Sequence, residues 1–141
     1  MTDQLKGSGK CLCGAVSFTA AAIAPEIGAC HCSMCRQWGG GPLLAVECGT
    51  EVQFEGEESI AHYESSAWAS RGFCKHCGTH LFYQLKDGGD YIMPVGLFAD
   101  DTGFDFTQQI FIDEKPEYYC FANKTSTMTA AEVFAKYMPS E

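Results

Sequence analysis

Positive charge is scarce in this chain: 9 Lys and Arg, only two of them Arg, stand against 18 Asp and Glu in 141 residues, a formal net charge of −9. Such a balance repels phosphate backbones and argues against a nucleic-acid partner. Long apolar runs are also missing, and none approaches the ~18 residues that a membrane-spanning helix needs. The opening Met-Thr-Asp-Gln-Leu-Lys offers neither the basic nor the apolar region of a secretory leader. The expectation is a cytoplasmic protein with no membrane partner. Linkers, low-complexity stretches and repeats are absent too, so the chain reads as a single domain over 1–141. What is present is bulk. Hydrophobic residues make up 46%, with ten Phe, six Tyr and two Trp. A chain of this length buries roughly two thirds of its unfolded surface, enough for a core that needs no metal merely to exist.

The texture is short apolar stretches broken by Gly, Asp and Ser, which predicts a mainly β, antiparallel fold. Strands are expected at Val16–Ala20, Leu43–Glu47, Glu51–Phe54, Ser59–Tyr63, Trp68–Phe73, His80–Leu85 and Tyr91–Leu97. Cys48-Gly49-Thr50 and Asp87-Gly88-Gly89-Asp90 read as hairpin turns. A short helix is expected over Met34–Trp38, ended by Gly39-Gly40-Gly41-Pro42. A C-terminal helix over Val133–Met138 should follow a capping box at Thr129–Glu132 and stop at Pro139.

Cysteine is the abundant oddity. There are nine, and seven fall in three clusters: Cys11-Leu12-Cys13, Cys30-His31-Cys32-Ser33-Met34-Cys35 and Cys74-Lys75-His76-Cys77. An odd count suits full disulfide pairing poorly, and cysteines one residue apart rarely bridge each other. Metal binding is the better reading. Structural zinc takes four protein ligands and catalytic zinc usually three, so seven thiolates match one closed and one open site. Seven lost protons against the charges of two zinc ions would take the formal charge from −9 to −12. Two pairings remain open. Cys32-x-x-Cys35 with Cys74-x-x-Cys77 would make a zinc ribbon and strand Cys11, Cys13 and Cys30. Grouping Cys11, Cys13, Cys74 and Cys77 against Cys30, Cys32 and Cys35 strands none and is preferred. A two-iron two-sulfur cluster would want four cysteines at one site.

Four segments occur in order: Cys11-Leu12-Cys13-Gly14-Ala15-Val16, Cys30-His31-Cys32-Ser33-Met34-Cys35-Arg36, Phe73-Cys74-Lys75-His76-Cys77-Gly78-Thr79 and Ile110-Phe111-Ile112-Asp113-Glu114-Lys115-Pro116. In combination they resemble the glutathione-dependent formaldehyde-activating enzyme family, whose domain is shared with centromere protein V. The resemblance runs from about Gly9 to Tyr119, a domain core of about 9–120. It implies a β-tent fold of antiparallel sheets around a structural zinc, with a short C-terminal helix here. It also implies two zinc ions per chain, Cys11, Cys13, Cys74 and Cys77 holding the structural one and Cys30, Cys32 and Cys35 the catalytic one. Two places depart from the family: its frequent His before the Ile-x-x motif is Gln109, and its Trp after the Lys is replaced by Tyr118-Tyr119.

Zinc on three thiolates carries a net charge of −1, a weak Lewis acid better suited to holding a fourth, exchangeable thiolate than to activating water. The expected activity is a carbon–sulfur lyase of the S-(hydroxymethyl)glutathione synthase type. It would form or cleave an S-hydroxymethyl adduct of formaldehyde with glutathione or a related small thiol. The alternative is a non-catalytic, zinc-stabilised β-tent binding module. Arg36, next to the last cysteine of the triplet, is a catalytic candidate that would hold a substrate carboxylate or offset thiolate charge; a surface acid is its bland partner. His31 is expected to point away from the metal and support it. Lys115 should pair with an acid of the substrate or of the protein. Trp38 reads as core, Gly39–Gly41 as a strand-entry turn and His76 as exposed. Cys48 and Cys120 read as small buried hydrophobes.

Overall fold

The computed structural model describes residues 4–137. In chain order it runs β1 (Leu5–Lys10), β2 (Ser17–Ile23), β3 (Glu26–Cys30), α1 (Ser33–Gly39), β4 (Leu43–Gly49), β5 (Val52–Glu55), β6 (Ile60–Tyr63), β7 (Ala69–Cys74), β8 (His80–Leu85), β9 (Tyr91–Pro94), β10 (Asp105–Ile110), β11 (Ser126–Met128) and α2 (Ala130–Tyr137). The fold is mainly β, as expected. All seven expected strands form, most within two residues of their expected ends. Two ends differ by three residues: β2 runs on to Ile23, and the last strand stops at Pro94 because Val95–Leu97 turns into a 3-10 helix. The chain divides into two compact units, Met1–Pro25 with Ala45–Phe104, and Glu26–Leu44 with Asp105–Glu141.

The first unit holds a three-stranded antiparallel sheet, β1-β2-β5, and the strand order β4-β9-β8-β7-β6, also antiparallel. Strand β2 shows why it forms: Phe18 and Ala20 are buried on one face while Thr19 and Ala21 face water, a period of two. Phe18 meets the edge of Phe98 at 5.3 Å, and Phe54, Phe82 and Tyr91 form an aromatic cluster with centroids 5.0–5.5 Å apart. Aromatic pairs at these separations add about 0.5–1.5 kcal/mol each beyond area burial. Strand β1, Leu-Lys-Gly-Ser-Gly-Lys, has no strand signature and was not expected. Its reason is steric: a Cβ at Gly9 would lie 2.1 Å from the Leu97 carbonyl oxygen, so the strand lies where only glycine fits.

Both turns carry glycines at positive φ, Gly49 at 60°, Gly88 at 88° and Gly89 at 77°. Asp87–Asp90 does connect the paired strands β8 and β9, with Leu85 N–H donating to the Asp90 carbonyl at 3.0 Å. Cys48–Thr50 is a corner instead of a hairpin, because β4 pairs with β9 while β5 pairs with β2.

The second unit has the strand order β11-β10-β3, and both pairings are parallel, against the antiparallel expectation. The long excursions between these strands permit that, since parallel neighbours need crossover connections. Helix α1 spans Ser33–Gly39 and ends where Gly40 N–H returns to the Arg36 carbonyl at 2.7 Å. Helix α2 begins with the expected capping box: Thr129 N–H donates to Glu132 Oε1 at 2.7 Å and Glu132 N–H to Thr129 Oγ1 at 3.2 Å. Its expected end at Met138 and Pro139 lies outside the described residues. Among the described residues no helix is long and apolar enough to cross a membrane.

Candidate metal centres

In the first unit, the strand end at Cys74 and the turn after β1 bring four cysteines together. The ligand-type atoms of Cys11, Cys13, Cys74 and Cys77 all lie within 4.8 Å of one another. Cys13 Sγ is 3.7 Å from both Cys11 Sγ and Cys74 Sγ. Four sulfurs placed tetrahedrally about 2.3 Å from a zinc ion would be about 3.8 Å apart, so this donor set fits the ion. Each pair sits in a tight turn that local backbone bonds hold. Cys11 N–H donates to the Val16 carbonyl at 2.9 Å, and Val16 N–H donates to Cys11 Sγ at 3.3 Å. On the other side Cys74 N–H donates to the Thr79 carbonyl at 2.9 Å and Gly78 N–H to the Cys74 carbonyl at 2.8 Å. Gly78 has φ +80°, a left-handed conformation that lets the turn close after Cys77.

Thr79 joins the two turns. Its hydroxyl oxygen accepts from Leu12 N–H at 3.1 Å and its O–H reaches Cys77 Sγ at 3.1 Å. The Thr79 hydroxyl and backbone N–H bring the Cys77 thiol down to about 5, the ionised form a metal requires. Thr79 was quoted in the motif but given no role; its spacing two residues after Cys77 was the available signal. His76 is exposed, as expected, and contacts Ser59 Oγ at 3.1 Å.

In the second unit Cys30, Cys32 and Cys35 form the other group, again within 4.8 Å of one another. The sulfurs therefore divide four and three, and Cys32 and Cys35 do not join Cys74 and Cys77 in a ribbon. Cys30 closes β3, and Cys32 is the N-cap of α1, its Sγ accepting from Cys35 N–H at 3.3 Å. Hydrogen bonds from the Cys30 and Cys35 side chains, with this N–H, push the Cys32 thiol far down, while Cys32, Cys35 and burial push Cys30 up.

Around the trio the side chains are specific. Arg36 is half-buried, its Nε donates to the His31 carbonyl at 2.9 Å, and no acidic side chain pairs with it among the described residues. The surface-acid reading of Arg36 is therefore not what the structure shows. His31 is fully buried and stays outside the sulfur group. Its Nε2 lies 2.7 Å from Gln109 Oε1, which can only accept, so Nε2 carries the proton and Tyr119 O–H donates to Nδ1 at 2.9 Å. Burial first, and then the nearby charges of Lys115 and Arg36, hold the His31 pKa below its usual value and favour this neutral form.

Among the described residues Lys115 pairs with no acid of the protein. Its ammonium donates to the Pro116 carbonyl at 2.9 Å and the Tyr119 carbonyl at 2.5 Å, folding the segment back on itself. Just upstream, Phe111 takes a left-handed φ of 56°, unusual for a bulky side chain. Beyond that bend, Glu114 Oε1 accepts from Ser33 N–H at 3.0 Å at the start of α1, and Asp113 Oδ1 from Ala130 N–H at 2.9 Å at the start of α2. Trp38 is half-buried and Gly41 opens onto space. Cys48 is fully buried, as expected, and burial pushes its thiol up to about 12. Cys120 is exposed, a correction: it lies in an irregular stretch between β10 and β11, not in a strand.

Fold and site define a mainly β protein with one four-thiol and one three-thiol cluster, each fit to hold a metal ion. The chain belongs to the glutathione-dependent formaldehyde-activating enzyme family, whose model matches residues 6–114. It is 39% identical over 126 residues to the uncharacterized lyase C29B12.13 of Schizosaccharomyces pombe, covering 89% of this chain and 92% of the yeast protein. Its fold is similar to a crystal structure of a Rhodobacter sphaeroides protein solved as a structural-genomics target. That likeness has a TM-score of 0.57 at 24% identity and covers 65% of this chain and 87% of the other.

Proposed function

We propose that this protein is a zinc-dependent carbon–sulfur lyase that forms or cleaves an S-hydroxymethyl adduct between formaldehyde and a small thiol, with glutathione the first candidate. The observation that carries the reading is the convergence of Cys30, Cys32 and Cys35, and of no fourth cysteine, on one point. Family membership and the lyase name of the yeast relative support the reaction class. Cys11, Cys13, Cys74 and Cys77 would hold a second, structural zinc. Bound to three thiolates, zinc supplies a fourth position at which a substrate thiol stays deprotonated.

The chain's own residues supply the rest. The Cys30 and Cys35 side chains and the Cys35 N–H hold the Cys32 thiol low, and Arg36 is fixed to the main chain between Cys30 and Cys32 through the His31 carbonyl. Among the described residues only the Nε of Arg36 is engaged, so its guanidinium keeps donors for a substrate carboxylate. Formaldehyde needs no recognition beyond access. In the synthetic direction the sulfur lone pair forms the carbon–sulfur bond, the carbonyl π pair moves to oxygen, and the proton given up by the thiol ends on that oxygen.

The test is exchange between glutathione and formaldehyde followed by NMR with purified protein, against the spontaneous rate and against Cys32→Ser. Acceleration that Cys32→Ser abolishes while the fold survives supports the lyase. No acceleration over that variant, or a collapse of Cys30, Cys32 and Cys35 variants as severe as that of Cys74 and Cys77 variants, favours the binding-module alternative.

A further inference from the structure

The Ile110–Pro116 motif and its flanks contribute no sulfur to either cluster, yet they converge on one side chain. His31 sits between Cys30 and Cys32 and is completely buried. Its ring is held on both edges, by Gln109 Oε1 at 2.7 Å and Tyr119 Oη at 2.9 Å, and it stacks on Tyr119 at 5.5 Å. Both partners are themselves held. Gln109 is buried, its oxygen faces His31 and its Nε2 donates to Thr125 Oγ1 at 2.9 Å, so both ends of the amide are engaged. The Tyr119 carbonyl is anchored by Lys115. The His31 main chain is tied as well: its N–H donates to the Ile110 carbonyl at 3.2 Å and its carbonyl accepts from Arg36 Nε at 2.9 Å.

We infer that Gln109 and Tyr119 are positioning residues for the three-cysteine cluster: by locking the His31 ring they set the main chain from which Cys30 and Cys32 project, presenting the sulfurs together before a metal arrives. The inference rests on the reading that this cluster holds zinc, and is independent of the substrate. Three ligands within six residues have little restraint of their own. An acceptor at one ring edge and a donor at the other admit a single tautomer and a single ring orientation. If the acceptor is lost, the ring has no reason to keep its pose, and the peptide between two ligands turns with it. Here the buried imidazole supports a metal from outside the ligand set, which is the role carboxylates and carbonyls usually play behind ligating histidines.

The experiment measures zinc affinity by competition with a chromogenic chelator, and the visible spectrum of the cobalt(II)-loaded protein, for the full chain and for Gln109→Leu, Gln109→Glu and Tyr119→Phe. Gln109→Leu should weaken metal binding at the three-cysteine cluster about 10-fold or more and alter its cobalt spectrum, the scale found for lost outer partners of metal sites. The four-cysteine cluster should be unchanged. Gln109→Glu, which restores an acceptor, should recover most of the affinity and the spectrum. If Gln109→Leu does not fold, Tyr119→Phe carries the test, with a smaller loss at the same cluster. Wild-type affinity and spectrum in folded Gln109→Leu, or in Tyr119→Phe should that variant have to stand in, overturn the inference alone. Absence of metal at the three-cysteine cluster of the wild-type protein overturns both it and the zinc reading.

Discussion

In the four-cysteine cluster the sulfurs come from distant parts of the chain and their support is local; in the three-cysteine cluster the sulfurs are local and their support is distant. Cys13 and Cys74 are 61 residues apart, yet each turn is held by its own backbone and by Thr79. Cys30, Cys32 and Cys35 share six residues, while Gln109, Glu114 and Tyr119 reach them or their neighbours from 78, 81 and 88 residues away. A metal in the first cluster is a cross-link that closes a long loop. A metal in the second closes almost nothing, so its binding energy is available for exchange with a ligand.

The largest expected effect breaks this comparison at its cross-link. Closing a loop of about 60 residues is worth about 4 kcal/mol in chain entropy, and a loop of about five only about 2. Cys74→Ser should therefore lower stability by about 4 kcal/mol or more, roughly a 15 °C fall in Tm, whereas Cys32→Ser should cost about 2 kcal/mol or less. Denaturant unfolding of both variants with metal analysis checks this, and equal losses would erase the distinction. A graded chelator titration sharpens it further. Metal should leave the three-cysteine cluster first with the far-ultraviolet circular dichroism unchanged, and leave the second with loss of structure.

The three cysteine clusters were legible in their spacing, because a metal-binding knuckle is a local object that its own residues specify, but their grouping into four and three needed the count of leftover cysteines and the family resemblance. All seven expected strands were legible for the same reason: β2 and β8 carry their apolar pattern in themselves. Four strands were unexpected: β1, β3, β10 and the three-residue β11. β1 and β3 are built on small residues, and the place of β1 is set by what approaches it, Leu97 at Gly9. β10, Asp-Phe-Thr-Gln-Gln-Ile, is a parallel neighbour of β3, a pairing made across about 75 residues that no local pattern announces. The supports of His31 were hidden likewise. Gln109 stood out only as a departure from the family's frequent His, and Lys115 looked like half of an ion pair because charge is read before main-chain acceptors are known. Cys120 was misjudged since cysteine is so commonly buried.

The next effect falls on that long-range support. Gln109→Leu leaves the His31 Nε2–H buried without an acceptor, which costs about 1–3 kcal/mol. The Thr125 hydroxyl loses a donor as well. Chemical unfolding should show this loss in addition to any change in metal affinity, and Gln109→Glu should show less of it. A stability unchanged in Gln109→Leu would mean that the ring finds another acceptor and that the distant support is redundant.

The smallest effect uses the two cysteines outside the clusters as a control for all the others. Cys48 is buried with its thiol raised from 9.0 to about 12, and Cys120 is exposed. The folded chain keeps the Cys48 proton to a higher pH than the unfolded chain does, so its contribution is complete below pH 9 and is lost as pH rises from 9 toward 12. At pH 10 the loss should reach about 1.4 kcal/mol, one pH unit beyond the unfolded value. Comparing unfolding of wild type and Cys48→Ala between pH 8 and 10.5, as a difference, removes the shared contribution of the seven clustered thiols. The gap between the two proteins should narrow by that amount at pH 10. A maleimide should label Cys120 in the native protein and reach Cys48 only on unfolding. If Cys48→Ala tracked wild type across the whole range, burial would not be holding that proton, and the ionisation argued for the clusters would lose its reference.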